Sequence, residues 1–198
     1  MPAKDNKNKT PLIDRGIMPV VILTVITIVC VAALAFVSSI TEDARKAQEL
    51  QASFAIQLEL FPEADEFLQI PLDDIAAKFP SITQIVQAID SSDGSLGYVV
   101  TAEGNGYGGE LPATVGYDTD GNIVGVRFDV SAETAGYGQN AGKPDFYEQF
   151  SSFNASQTLT ADSSSSDTVI DALTGSTRTT NAIVAAINDA SGAFQLME

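Results

Sequence analysis

The segment Ala113-Thr-Val-Gly-Tyr-Asp-Thr-Asp-Gly-Asn-Ile-Val-Gly-Val-Arg-Phe-Asp-Val130 holds two apolar runs, Ala113–Tyr117 and Ile123–Val130, on either side of Asp118-Thr-Asp-Gly-Asn122. Short runs rich in Val, Ile, Tyr and Phe around an Asp/Gly turn predict a β-hairpin. Immediately upstream, Gly97-Tyr-Val-Val-Thr-Ala-Glu103 has the same character. The three runs together predict an antiparallel meander.

Between the first strand and this hairpin lies Gly104-Asn-Gly-Tyr-Gly-Gly109, which satisfies G-x-G-x-x-G. A dinucleotide fold needs that motif to open a helix. Here Pro112 and a β-pattern follow, so the glycines read as a tight turn or bulge that lets backbone approach something flat. Further upstream, Leu72–Lys78 and Ile82–Ile89 are expected to be short helices, separated by Phe79-Pro80 and ended by the Asp90–Gly94 cluster. Residues Thr41–Glu59 carry Ala47, Leu50, Phe54 and Leu58 near helical spacing, and Pro62 closes that helix.

Downstream of the hairpin, Ser131-Ala-Glu-Thr-Ala-Gly-Tyr-Gly138 is a loop in which two glycines flank an aromatic ring. Such a loop is an ordinary turn or a stacking surface for a ring system. Helical character returns at Pro144–Phe150, Ser163–Ser166 reads as a solvated connector, and Thr168–Ile170 as a short strand. Asp171–Thr180 then leads into a helix with Ile183, Val184 and Ile187 on one face. Its dense hydroxyls stand at a helix N-terminus, where they read as an N-cap or as a phosphate-binding site, with Arg178 available to offset charge.

No charged residue occurs from Gly16 to Thr41, and Ile17–Val37 is nearly continuous Val, Ile, Leu, Ala and Phe. About 20 apolar residues cross a bilayer as a helix. A cleaved signal peptide is the rival, but the run is longer than a signal core, and Ala33-Leu34-Ala35 lies inside it without a polar lead-in. Lys4, Lys7, Lys9 and Arg15 precede the span while Glu42 and Asp43 follow it, which puts the N-terminus in the cytoplasm and the bulk of the chain outside the cell membrane. A pilin-like rod usually has a glutamate just inside its apolar helix, and none occurs between Asp14 and Glu42.

The net charge of −16 argues against nucleic acid as a partner. With no histidine, the chain lacks a Ser-His-Asp triad and any His-ligated metal or haem site. Its one cysteine, Cys30, sits in the apolar run, so no CxxC pair or iron–sulfur ligand set exists. Redox chemistry, if present, requires an organic cofactor.

The order of these segments behind one apolar helix resembles the FMN-binding domain family, and within it the G subunits of Rnf-type ion-translocating electron-transport complexes and their relatives, the C subunits of sodium-pumping NADH:quinone reductases. The family's flavin-transfer motif, D-x-x-[S/T]-G-A-[T/S]-x-[S/T], appears as Asp171-Ala-Leu-Thr174-Gly175-Ser176-Thr177-Arg178-Thr179, with Ser176 in place of the usual alanine. The Glu-Thr-Pro-Gly-Leu-Gly loop appears as Glu133-Thr134-Ala135-Gly136-Tyr137-Gly138, and Gly-Tyr-Gly-Gly as Gly106–Gly109. Leu60-Phe-Pro-Glu-Ala64 adds to the likeness.

The resemblance implies an α+β fold: one N-terminal transmembrane helix followed by an extracytoplasmic FMN-binding domain whose antiparallel sheet is flanked by helices. It divides the chain into a cytoplasmic tail (1–16), an anchor (17–40), a helical connector (41–95) and the FMN-binding domain (96–198). It implies FMN esterified to Thr177 by a flavin transferase, with Asp171, Thr174, Gly175 and Ser176 presenting the acceptor, and Glu133, Thr134, Gly136, Tyr137 and Gly138 lying against the ring. It further implies a membrane-anchored electron-transfer protein without catalytic machinery of its own, working with other membrane subunits of an ion-translocating ferredoxin:NAD oxidoreductase. A relay in another redox system and a non-redox exported structural or sensor protein remain the alternatives.

Overall fold

The structure is a computed structural model that describes residues 18–92, 94–165 and 167–197. The expected tail 1–16 with its four basic residues, together with Ile17 and Ser166, lies outside the described residues. Two compact units divide the chain, Met1–Ala52 and Ser53–Glu198.

Helix α1, Met18–Leu60, runs 43 residues without interruption, so the expected helix at Thr41–Glu59 continues the apolar one. Its segment Met18–Glu42 is long and apolar enough to cross a bilayer, and none of it is buried by protein. The hydroxyls of Thr24 and Thr27 donate to the carbonyls of Val20 and Leu23 at 2.8 Å, which keeps them satisfied in an apolar surround. Beyond this segment the surface turns ionic, with pairs Lys46–Glu42 and Arg45–Glu49 at 2.7 Å.

The second unit is built on a five-stranded antiparallel sheet in the order β1-β2-β3-β4-β5. Its strands are β1 (Glu66–Gln69), β2 (Ile82–Ile89), β3 (Ser95–Asn105), β4 (Glu110–Asp118) and β5 (Ile123–Phe128). The expected meander is β3-β4-β5, with Asn105 paired to Glu110 and Tyr117 to Ile123 at its two turns. Asp118 fixes the second turn by accepting the N–H groups of Asp120 and Asn122 at 2.9 and 2.8 Å.

Ile82–Ile89 is strand β2, which corrects the expected helix there and brings two strands into the segment read as a helical connector. Five of its eight residues are β-branched, which favours a strand. The helical appearance of Ile82, Ile85, Val86 and Ile89 arises because the strand is covered on both faces. Ile82 and Ile85 join the main core, whereas Val86 and Ala88 join a second cluster with Leu60, Phe61 and Val99. A doubly buried strand loses the two-residue alternation that would identify it. At Leu72–Lys78 the helix is the single turn α2 (Asp73–Ala76).

The main core lies between the sheet and α4 (Thr177–Gln195), whose Ile183, Ile187 and Phe194 are fully buried. Phe194 stacks on Tyr117 at 4.9 Å between centroids, and the Tyr117 hydroxyl is 2.9 Å from Ser191 Oγ. Burial pushes that phenol well above its ordinary range. Helix α3 (Pro144–Tyr147) and a following 3-10 turn, Glu148–Ser152, bring Phe146 and Phe150 against Phe128. The short strand at Thr168–Val169, β7, pairs in parallel with β6 (Leu159–Thr160), a partner the sequence pattern does not announce.

Candidate functional site

Three segments far apart in sequence meet at the N-terminus of α4. They are the β3–β4 turn at Gly106–Gly109, the loop Ser131–Gly138 after β5, and Asp171–Thr180. One carboxylate joins them. Glu133 Oε1 accepts the backbone N–H groups of Tyr107 (2.8 Å) and Gly108 (3.2 Å), while its Oε2 accepts the Thr179 hydroxyl at 2.7 Å. Glu133 is only 5% exposed, and no lysine or arginine among the described residues pairs with it. A buried carboxylate of this kind is held by its donors.

The close approach explains Gly138, because a Cβ there would run into Glu133 Oε2 and Thr179 Oγ1. Gly175, one residue before the cap of α4, takes φ +74°, a backbone conformation that favours glycine. The ring of Tyr137 lies against its open face.

The junction encloses a cavity of about 310 Å³ lined by Tyr107, Glu133, Thr134, Tyr137, Gly138 and Gly175–Thr179. Thr177, the first residue of α4, is exposed at this cavity and also borders a groove of about 520 Å³ with Asn105, Arg178, Asn181, Ala182 and Ala185. Its neighbours differ sharply: Ser176 and Thr179 are buried, at 7% and 2% exposure. Two tyrosines stand at the cavity with large exposed surfaces, Tyr107 at 69% and Tyr137 at 57%.

Of the residues singled out in the sequence, the structure gathers Thr177, Glu133, Thr134, Tyr137, Gly138, Gly175 and Ser176 around the cavity. Gly136, Asp171 and Thr174 are exposed and do not line it. The Gly136 carbonyl accepts from Asn140 Nδ2, and the Asp171 backbone is bonded to Gln149, so both shape the ends of their loops. Glu133 turns its oxygens inward as a strut. Tyr107 and Asn105 were not among the expected site residues. The Gly-Tyr-Gly-Gly signature around Tyr107 was the available signal, and Asn105, which accepts from Arg178 Nη2 at 3.2 Å, had none.

The arrangement suits a flat group carrying a phosphate. Two exposed aromatic faces can stack on a ring, the dipole of α4 and its first N–H groups favour an anion, and an exposed hydroxyl stands at that terminus. The cavity volume is at the lower end of the roughly 300–1,000 Å³ typical of ligand pockets, so a ring system held here would stay partly exposed. No cluster of potential metal ligands occurs among the described residues.

Residues 106–192 match the FMN-binding domain family. The chain is 29% identical, over 84% of its own length and 86% of the relative's, to the G subunit of the Na(+)-translocating ferredoxin:NAD(+) oxidoreductase complex of Acetobacterium woodii. To the G subunit of the proton-translocating ferredoxin:NAD(+) oxidoreductase complex of Clostridium ljungdahlii it is 32% identical, over 52% of this chain and 56% of that one. In fold it is similar to the C subunit of the Na(+)-translocating NADH-quinone reductase from Parabacteroides distasonis, with a TM-score of 0.50 at 18% identity, over 67% of this chain and 76% of that structure. The span similar to that family contains all three segments of the cavity.

Proposed function

We propose that this chain is the membrane-anchored flavin subunit of an ion-translocating ferredoxin:NAD(+) oxidoreductase complex, carrying FMN through a phosphoester bond to Thr177. The observation that carries the reading is the placement of an exposed Thr177 at the N-terminus of α4, at a cavity with Tyr107 and Tyr137. The names of its relatives, both G subunits of such complexes, supply the wider setting.

Attachment requires a flavin transferase. The Thr177 hydroxyl oxygen forms a bond to the FMN phosphorus of FAD, the pyrophosphate bond breaks, AMP leaves and the hydroxyl proton passes to solvent. Within the threonine-rich stretch, the buried Thr179 is committed to Glu133 whereas Thr177 is exposed, which favours Thr177 as acceptor. Asp171 and Thr174, exposed on the preceding loop, are available to the transferase.

When bound, FMN supplies one- and two-electron redox chemistry at its ring. The chain's own residues bind and orient. Tyr107 and Tyr137 offer stacking faces, Thr134 a polar contact, and Glu133 fixes the three loops to one another. An ester link prevents loss of a cofactor that faces the extracytoplasmic side, and α1 keeps it at the bilayer, near integral membrane subunits. The basic residues before the span and the acidic ones after it favour a cytoplasmic N-terminus.

The test is to recover the chain from native membranes with its associated subunits and denature it. Yellow flavin retained on this polypeptide, in company with the subunits of a ferredoxin:NAD oxidoreductase, is expected. A colourless chain recovered alone would contradict the proposal.

A further inference from the structure

Ser176 occupies the N-cap of α4, yet its side chain makes no capping hydrogen bond. A cap serine ordinarily accepts the N–H of the second or third helical residue. Its Oγ is instead a buried atom without any hydrogen-bond partner. Buried hydroxyls are nearly always partnered, so this one calls for a partner that the chain itself does not supply.

The two buried hydroxyls of the first turn of α4 are committed elsewhere. Thr179 donates to Glu133 at 2.7 Å, and Thr180 donates to the Ser176 carbonyl at 3.1 Å. The Ser176 N–H donates to Leu173 O, so only its hydroxyl is spare. Ser176 lines the cavity at Thr177, and the first N–H groups of the 19-residue α4 have no intrahelical partners. The positive end of the helix dipole points the same way. An uncapped helix terminus and a reserved donor thus stand together, one residue before the proposed attachment point.

We propose that Ser176 Oγ and the N-terminal N–H groups of α4 form a phosphate subsite, with the hydroxyl donating to a phosphoryl oxygen of the ester on Thr177. This rests on the covalent FMN reading of the same cavity. The local charges are compatible with it. Arg178, held by Asn105 at 3.2 Å, lies beside the site, and both oxygens of the buried Glu133 are already occupied by Tyr107, Gly108 and Thr179.

Ser176→Ala, compared with the parent as full-length chains with and without attached flavin, tests the assignment. Without flavin the variant is expected to melt at a higher temperature, because an unpartnered buried hydroxyl has been removed. Attachment is expected to shrink or reverse that advantage, and the phosphorus NMR resonance of the ester is expected to move between parent and variant. Equal melting shifts in both forms, with an unchanged resonance in labelled chains, would overturn the subsite alone. A parent chain left unlabelled by an active transferase would overturn the covalent reading and the subsite with it.

Discussion

Thr179 Oγ1 donates to Glu133 Oε2 over 2.7 Å, joining the first turn of α4 to a loop 46 residues earlier. Because the other oxygen of Glu133 holds the turn at Tyr107 and Gly108, loss of this single bond loosens the whole cavity. Thr179→Val keeps the shape and removes the donor, leaving a buried carboxylate underpartnered. Equilibrium urea unfolding of the detergent-solubilised chain is expected to show a loss of about 1.5–3 kcal/mol, the range for bonds to charged groups.

Gly138→Ala probes the same junction from the crowded side. The new Cβ meets Glu133 Oε2 and Thr179 Oγ1, neither of which can withdraw without breaking their bond. Overpacking of this kind costs about 1–3 kcal/mol. The expected result is a lowered melting temperature together with slower flavin attachment, read as fluorescence on a denaturing gel over time.

Tyr137→Leu replaces a ring that is more than half exposed with a side chain of the kind the related loops carry. Little stability depends on so exposed a group. The flavin-attached variant is expected to emit more strongly than the parent, because a phenol stacked near a flavin quenches its fluorescence. Equal emission lifetimes would place the ring away from the flavin.

One source of acid sensitivity outside the site is Glu59. The hydrogen bond from Arg127 holds the Glu59 carboxyl below its ordinary value, and Arg127 also lies over the Tyr147 ring at 4.2 Å. A carboxyl with a lowered folded pKa contributes its stability fully above its unfolded value, about 4.3, and loses it as pH falls through the folded value. More than half of the Glu59 side chain is exposed, so the contribution is below about 1 kcal/mol. Glu59→Gln is expected to lower stability slightly at pH 7 and to reduce its fall between about pH 5 and pH 3, measured by unfolding at each pH.

How much of this was legible in the sequence depends on whether a residue's partner is near or far in the chain. The hairpin at Asp118–Asn122 and the apolar face of α4 are local patterns, and both stand where the sequence puts them. Strand β2 misled because its two covered faces imitate helical spacing, and β6 is too short to carry a period. Motif order named the cavity's loops but not their geometry. The inward turn of Glu133 depends on backbone N–H groups 26 and 25 residues away, which no local pattern encodes.

The central claim is that Thr177 carries the flavin, and intact mass of the chain co-expressed with a flavin transferase tests it most directly. The parent is expected to gain the mass of one FMN less one water, and Thr177→Ala to gain nothing. A Thr177→Ala chain that still gains that mass, or a parent that never does with an active transferase, would contradict the account.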